Sequence, residues 1–180
     1  MPEVEIRRAM PTDAAAIAQL VNLAYRPPPG EEGWTHESAL VDGDRISLDS
    51  VNSALENTIV LVGVSNSVVV GCVQIEVNGR AVHIGMLAVD PMLQTSGVGK
   101  LLLERAEAFS AQHLQAKEAV LIVIAARIEL IEFYQRRKYK ITGEGLEYPI
   151  EAGVGVPGEE AMKLVVLKKA LNPAMYMEKS

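Results

Sequence analysis

Residues 58–89 constrain the fold more than any other part of the chain. Three apolar runs, "TIVLVGV", "VVVGCVQIEV" and "AVHIGMLAV", follow one another with only "SNS" and "NGR" between them. Runs rich in Val and Ile, separated by two or three turn-forming residues, reverse direction and pair with their neighbours. The expectation is a three-strand antiparallel meander, with Asn78-Gly79 as a type I′ turn. Upstream, "VEIRRA" alternates like a half-buried strand. "TDAAAIAQLVNLAY" then has helical spacing, with Ile17, Leu20, Val21 and Ala24 on one side and Thr12 or Asp13 at the N-cap. "RPPPGEEGW" ends that helix, because consecutive prolines cannot continue it. The polar stretch 31–57 has room for one or two short helices, including "LDSVNSALEN".

Downstream of the meander, "GVGKLLLERAEAFSAQH" and "IELIEFYQRR" have helical spacing. "AVLIVIA" lies between them, and "KYKITGE" and "MKLVVLKKA" close the series as strands. "AVLIVIA" lacks alternation, so it is expected to be a central strand covered on both faces. No repeat or linker divides the chain. The order β-α-α-β-β-β-α-β-α-β-β predicts one mixed α/β domain over 1–180, with 170–180 as a C-terminal tail.

Bulk properties narrow the function classes. A length of 180 residues with 49% hydrophobic and 22% charged residues suits one domain with a real core. A formal net charge of −6 disfavours sequence-independent nucleic-acid binding, which needs a basic face. No apolar run approaches the roughly 20 residues of a membrane span, and "MPEVEIRRAM" lacks a secretory core. The single Cys72 allows neither an internal disulfide nor a cysteine metal cage, and it is expected to behave as a small buried hydrophobe. No metal, membrane or nucleic-acid partner is expected. The setting these features point to is soluble and cytoplasmic, with the nucleus left open.

The chemistry is concentrated at "QTSGVGK", Gln94 to Lys100, a glycine-punctuated turn that opens a helix. Such a turn presents main-chain N–H groups and the positive end of a helix to an anion. The Walker A pattern fails, because Gln94 stands at its first glycine and Leu101 at its Ser/Thr position. The dinucleotide pattern G-x-G-x-x-G fails as well, because Leu102 replaces the third glycine. A third pattern, Q/R-x-x-G-x-G/A preceded by L-A-V-x-P, fits "LAVDPMLQTSGVGKLLLERA" at every defining place.

That stretch resembles the acyl-CoA-binding motif of the GNAT superfamily of N-acetyltransferases. The likeness extends to "VEIRRAMPTDAAAIAQLVNLAYR", "VVVGCVQIE" and "LIEFYQRRKYKITGE". It implies the GNAT fold, a mixed and mostly antiparallel sheet of six to seven strands flanked by about four helices. It implies acetyl-CoA as acyl donor and an amine as acceptor, with a homodimer among the assemblies such proteins form. A GNAT-fold module that binds acyl-CoA without transferring the acyl group is the alternative reading.

The resemblance assigns roles by position. Gln94, Thr95, Ser96, Gly97, Val98, Gly99 and Lys100 would wrap the coenzyme pyrophosphate. Leu87, Ala88 and Val89, on a splayed strand, would pair with the pantetheine arm. Tyr134 matches the tyrosine that serves the departing sulfur. His83 occupies the position of a base, with Glu76, Glu129 or water as substitutes. Arg127 replaces a usual asparagine and would contact the coenzyme. Lys138 replaces a turn glycine, so a positive φ there would carry strain. "RRKYK" would either meet the 3′-phosphate or complement a helix C-terminus. Acceptor specificity would come from "RPPPGEEGWTHESALVDGDR" and "EGLEYPIEAGVGVPGEE". Trp34 and His36, together with Glu76, are the acceptor-binding candidates. The acidic residues Glu31, Glu32, Glu37, Asp42, Asp44, Glu144, Glu147 and Glu151 would draw a cationic amine toward the site.

Overall fold

The computed structural model describes residues 3–28, 30, 37, 39–152, 154–158 and 163–177. The chain runs β1 (Glu5–Arg8), α1 (Ala14–Tyr25), β2 (Val41–Asp42), α2 (Leu48–Asn57), β3 (Ile59–Ser65), β4 (Val68–Asn78) and β5 (Ala81–Val89). It continues as α3 (Val98–His113), β6 (Glu118–Ile124), α4 (Ile128–Gln135), β7 (Lys140–Glu147), β8 (Val156–Pro157) and β9 (Lys163–Ala170). Seven strands form one sheet in the order β1-β3-β4-β5-β6-β9-β7, and β2 pairs with β8 in a small separate sheet. Every pairing in the large sheet is antiparallel except β5 with β6.

Local sequence explains most of these boundaries. Asp13 holds the N-cap place of α1 but does not cap it with its side chain. Its carboxylate instead accepts from Met10 N–H at 2.7 Å and from both terminal nitrogens of Arg7, at 2.7 and 2.9 Å. Those bonds fasten the helix start to β1 and hold the Asp13 carboxyl below its ordinary pKa, the Arg7 hydrogen bond being the main cause. Ser47 caps α2 by accepting from Ser50 N–H at 3.1 Å.

The hairpin turns reverse the expectation. Gly79 alone has positive φ (+60°) at the β4–β5 reversal, with Asn78 paired to Ala81. That is the type II′ pattern, with glycine first of the two central residues. The type I′ pattern lies at the other reversal, where Asn66 and Ser67 both have positive φ, +48° and +65°.

The sheet separates two cores. On one face α1 and α2 pack on Val60, Val62, Cys72, Met86 and Ala88. On the other, α3 and α4 pack on Val73, Ile75, Val82, Ile84, Leu121 and Val123. Helix α3 comes so close that a Cβ on Gly71 would stand 2.6 Å from Leu102 Cδ1 and 3.2 Å from the Ala88 carbonyl oxygen. Strand β6 departs from the expectation of two covered faces: Leu121 and Val123 are buried, while Ile122 between them is exposed. Residues 171–177 do not leave the domain as a tail. Leu171 is buried, and Tyr176 donates its hydroxyl to Glu107 at 3.0 Å. Glu107 lies inside α3 at 1% exposure and also receives Lys169 Nζ at 2.7 Å. A buried carboxylate needs such partners.

Two irregularities position the site. Opposite β4, Gly85 pairs with Gln74 and Ala88 with Cys72, so Met86 and Leu87 together face one residue. This is a β-bulge, and Met86 has φ +50° within it. The parallel ladder between β5 and β6 covers only Ala81–His83 against Glu118–Val120. Beyond His83 the two strands part and leave a gap between them.

Candidate active site

The glycine turn folds as expected from its residues. A 3-10 turn at Pro91–Leu93 starts with the Asp90 carboxylate accepting from Met92 N–H at 2.9 Å. Thr95 (φ +71°) and Gly97 (φ +94°) then take left-handed conformations that turn the chain into α3. The first hydrogen bond of the helix runs from Leu101 N–H to Gly97 C=O at 3.0 Å. The amides just before Leu101 therefore have no acceptor within the helix, and they make its N-terminus an anion cradle.

This cradle forms one wall of a cavity of about 420 Å³; α4 forms the other through Glu129 and Phe133, continued by Arg136 and Arg137 just after it. Of the residues expected to hold the coenzyme, Leu87, Val89, Gln94, Thr95, Gly97, Gly99 and Lys100 line it. Ala88, Ser96, Val98 and Arg127 do not. Ala88 and Val98 are buried in the two cores, and Ser96 donates its hydroxyl to Leu93 C=O. The Gln94 amide donates to Val89 C=O at 3.2 Å, which ties the turn to the strand. Lys100 is exposed and stands 3.8 Å from Glu104. Of the basic cluster, Arg137 lines this cavity and donates to Phe133 C=O at 2.7 Å near the end of α4. Lys138 has φ +74°, the left-handed value that makes a side chain costly there.

A second cavity, of about 400 Å³, opens on the other side of the gap. His83, Gly85 and Leu87 line it from β5 and Ile122 from β6, which explains why Ile122 is exposed. Tyr25, Leu87, Leu130 and Tyr134 belong to both cavities. The β2–β8 pair joins the two segments expected to select the acceptor: Val41 faces Pro157, and Gly158 N–H donates to Leu40 C=O at 2.7 Å.

Tyr134 is 5% exposed, with its ring edge-on to Phe133 and Tyr139 at 5.3 and 5.8 Å between centroids. Burial, and secondarily Tyr25, push its phenol pKa far up, so it remains protonated at neutral pH. Tyr25 donates to Leu87 C=O at 2.6 Å, and burial raises its pKa to about 12.

His83 has 37% of its side chain exposed, and its Nδ1 stands 4.0 Å from Glu76. Burial lowers its pKa, with Glu76 pulling the other way, so the imidazole is a neutral acceptor at pH 7. Glu76 lines neither cavity, while Glu129 lies on the glycine-turn side. Trp34, His36, Glu31 and Glu32 lie outside the described residues. Cys72 lines neither cavity; burial raises its pKa to about 12, and its Sγ donates to Met86 C=O at 3.4 Å.

The sequence assigns no role to two residues of the site, Tyr25 and Arg45, and places Glu37 and Arg127 in roles that the structure changes. Tyr25 is 62 positions from the carbonyl it holds. Glu37, 8% exposed, receives Arg26 Nη1 at 2.7 Å and stands 3.9 Å from Arg127 Nη1. It was expected as part of an acidic field at the surface, yet its charge is spent on two buried arginines. Arg127 is 4% exposed and lines neither cavity, and its Nε donates to Glu129 at 2.5 Å. Arg45 lies with its Cζ 5.5 Å from the centre of the Tyr25 ring. Among the described residues no group of three or more His, Cys, Asp or Glu side chains could hold a metal, and no helix is long and apolar enough to cross a membrane.

A splayed strand pair with a glycine-rich helix N-terminus beside it defines a class of fold, and the sequence comparisons agree. Residues 17–139 match the Acetyltransferase (GNAT) family, and the chain belongs to it. Among solved structures, a GNAT-family acetyltransferase from Streptococcus pneumoniae is 19% identical, with a TM-score of 0.69, over 94% of this chain and 100% of that one. YncA from Salmonella typhimurium, solved with its cofactor acetyl-CoA, is 22% identical with a TM-score of 0.69, over 94% and 95% of the two chains. The ribosomal-protein-S18-alanine N-acetyltransferase from Escherichia coli is 15% identical with a TM-score of 0.71, over the same shares. No curated protein matches the chain significantly.

Proposed function

We propose that the chain transfers an acetyl group from acetyl-CoA to a primary amine of a small molecule or peptide. The observation that carries this reading is Tyr134, a buried, protonated phenol shared by the two cavities. A residue on that border can meet a donor arriving from one side and an acceptor arriving from the other. The relatives agree with this, since YncA was solved with acetyl-CoA and the Escherichia coli enzyme acts on an alanine.

The residues at hand suit acetyl-CoA. The amides ahead of Leu101 suit its pyrophosphate, Lys100 and Arg137 suit its negative charge, and the edge of β5 left without a partner beyond His83 suits the amide-rich arm. When bound, acetyl-CoA supplies an activated acyl carbon. His83, directly or through water, takes the proton that the attacking amine must lose. As the C–N bond forms and the C–S bond breaks, the Tyr134 hydroxyl donates to the departing sulfur. Neutral His83 and protonated Tyr134 are the states that burial favours, so the two steps share one pH range. Arg127, which lines neither cavity, acts as a support that links Glu37 to Glu129 at the start of α4.

Tyr134→Phe tests the reading. With acetyl-CoA and a panel of amines, kcat followed by free-thiol release should fall about 100-fold while coenzyme affinity stays within about twofold. Unchanged kcat would remove the role of Tyr134. Thermal stabilisation by acetyl-CoA with no thiol release from any amine would favour a binding module.

A further inference from the structure

Three arginines stand around the acceptor-side cavity, and their charges are met differently. Arg26 has Glu37 at 2.7 Å and the carbonyls of Gly43 and Val154 at 3.1 and 3.2 Å. Arg127 has Glu129 at 2.5 Å and Glu37 at 3.9 Å. Arg45 lines the cavity itself, half-buried, and pairs with no carboxylate among the described residues. It stands over the ring of Tyr25, which borders both cavities. Elsewhere the same cavity is lined by apolar residues, among them Ile84, Met86, Leu121, Val123 and Leu164.

A guanidinium that lines a half-apolar cavity with no carboxylate partner among the described residues is poorly compensated, and its planar fork matches a carboxylate in two parallel hydrogen bonds. The carboxylate nearest to hand, Glu37, is already committed. The other carboxylate of the cavity, Glu147, lies on the fully exposed strand β7, where water weakens its pull on a second ammonium. We propose that Arg45 receives the carboxylate of the acceptor, which is therefore an amino acid with an apolar side chain.

This assignment rests on the transferase reading. The amino group would attack near Tyr134 and form the amide C–N bond as the C–S bond breaks. Its proton leaves to His83 or water, and the carboxylate stays bound at Arg45 without reacting.

The test compares L-leucine with L-leucinamide, 3-methylbutylamine and 1,4-diaminobutane, using the full chain and acetyl-CoA and following thiol release. We expect kcat/KM for L-leucine to exceed that for its amide by about 10- to 100-fold. Arg45→Gln should collapse the ratio toward one, mainly through KM, and Arg45→Lys should restore part of it. Circular dichroism and coenzyme-induced thermal shift establish that each variant is folded. Equal or faster acetylation of the amide, the monoamine or the diamine overturns the carboxylate assignment and leaves the transferase reading standing. With coenzyme bound but no turnover of any amine, calorimetric titration of L-leucine decides: uptake abolished by Arg45→Gln upholds the assignment, and no uptake overturns it. Thiol release from no amine together with no coenzyme-induced shift overturns both.

Discussion

On the donor side of Tyr134 one stretch, Val89 to Lys100, supplies a wall that bares main-chain amides at its glycine turn, with α4 and the residues after it opposite. On the acceptor side the lining comes from many elements, chiefly β5, β6, the segment after α1 and the end of β7 with the residues after it. The first side depends on backbone geometry, with left-handed Thr95 and Gly97 and a helix N-terminus. The second depends on ion pairs between separate segments, such as Glu37 with Arg26 and Arg127. A wall of main chain tolerates change in its side chains; a wall of paired charges does not.

Four substitutions press on that difference, in order of expected effect. Glu37→Gln leaves Arg26 and Arg127 buried without their shared carboxylate. It should cost about 3–5 kcal/mol of stability in denaturant unfolding, as broken buried ion pairs do; a loss below about 1 kcal/mol would mean that the acceptor wall does not depend on it.

His83→Ala should lower kcat/KM about 100-fold and remove its acidic limb. Burial holds the His83 pKa below its ordinary value, so the neutral base persists to lower pH, and activity is lost only as pH falls through that depressed value. An unmoved limb in the variant would transfer the role to water or Glu129.

Gly97→Ala forces a Cβ into φ +94°. The strain of roughly 1–2 kcal/mol should appear as weaker coenzyme binding, about fivefold or more by titration. Lys100→Ala is the mildest. If main-chain amides do the gripping, coenzyme affinity should fall by less than about threefold, and a tenfold loss would contradict a backbone-built donor side.

The same contrast decides what could be read before the fold was known. The meander, the helix order and the glycine turn are local, and each follows from the period and composition of a few neighbouring residues. Within that local range the failures come from competing geometry. Asn78-Gly79 has the composition of a type I′ turn, but the register pairs Asn78 with Ala81 and puts Gly79 first, while "SNS" takes the I′ geometry without a glycine. Ile122 sits in an unbroken apolar run, which cannot signal that one of its faces opens onto a cavity. Residues 171–177 look like a tail, because Glu107, their anchor, is 69 positions from Tyr176. On the acceptor side nothing local marks Tyr25, Arg45 or Glu37, since their partners are set by topology. The family resemblance reaches Tyr134 and His83 because those positions are counted from a motif.

The extra residue at Met86–Leu87 acts on the strand as a frameshift acts on a message. Before it, Val82 and Ile84 point into the core beneath α3 and α4; after it, Met86 and Ala88 point into the opposite core, beneath α1 and α2. A single strand thus serves both layers, at the one place where they must communicate, and Leu87 is left facing both cavities. Deleting one residue there would restore the alternation, turn Ala88 and its successors to the wrong layer, and straighten the edge from which the gap opens.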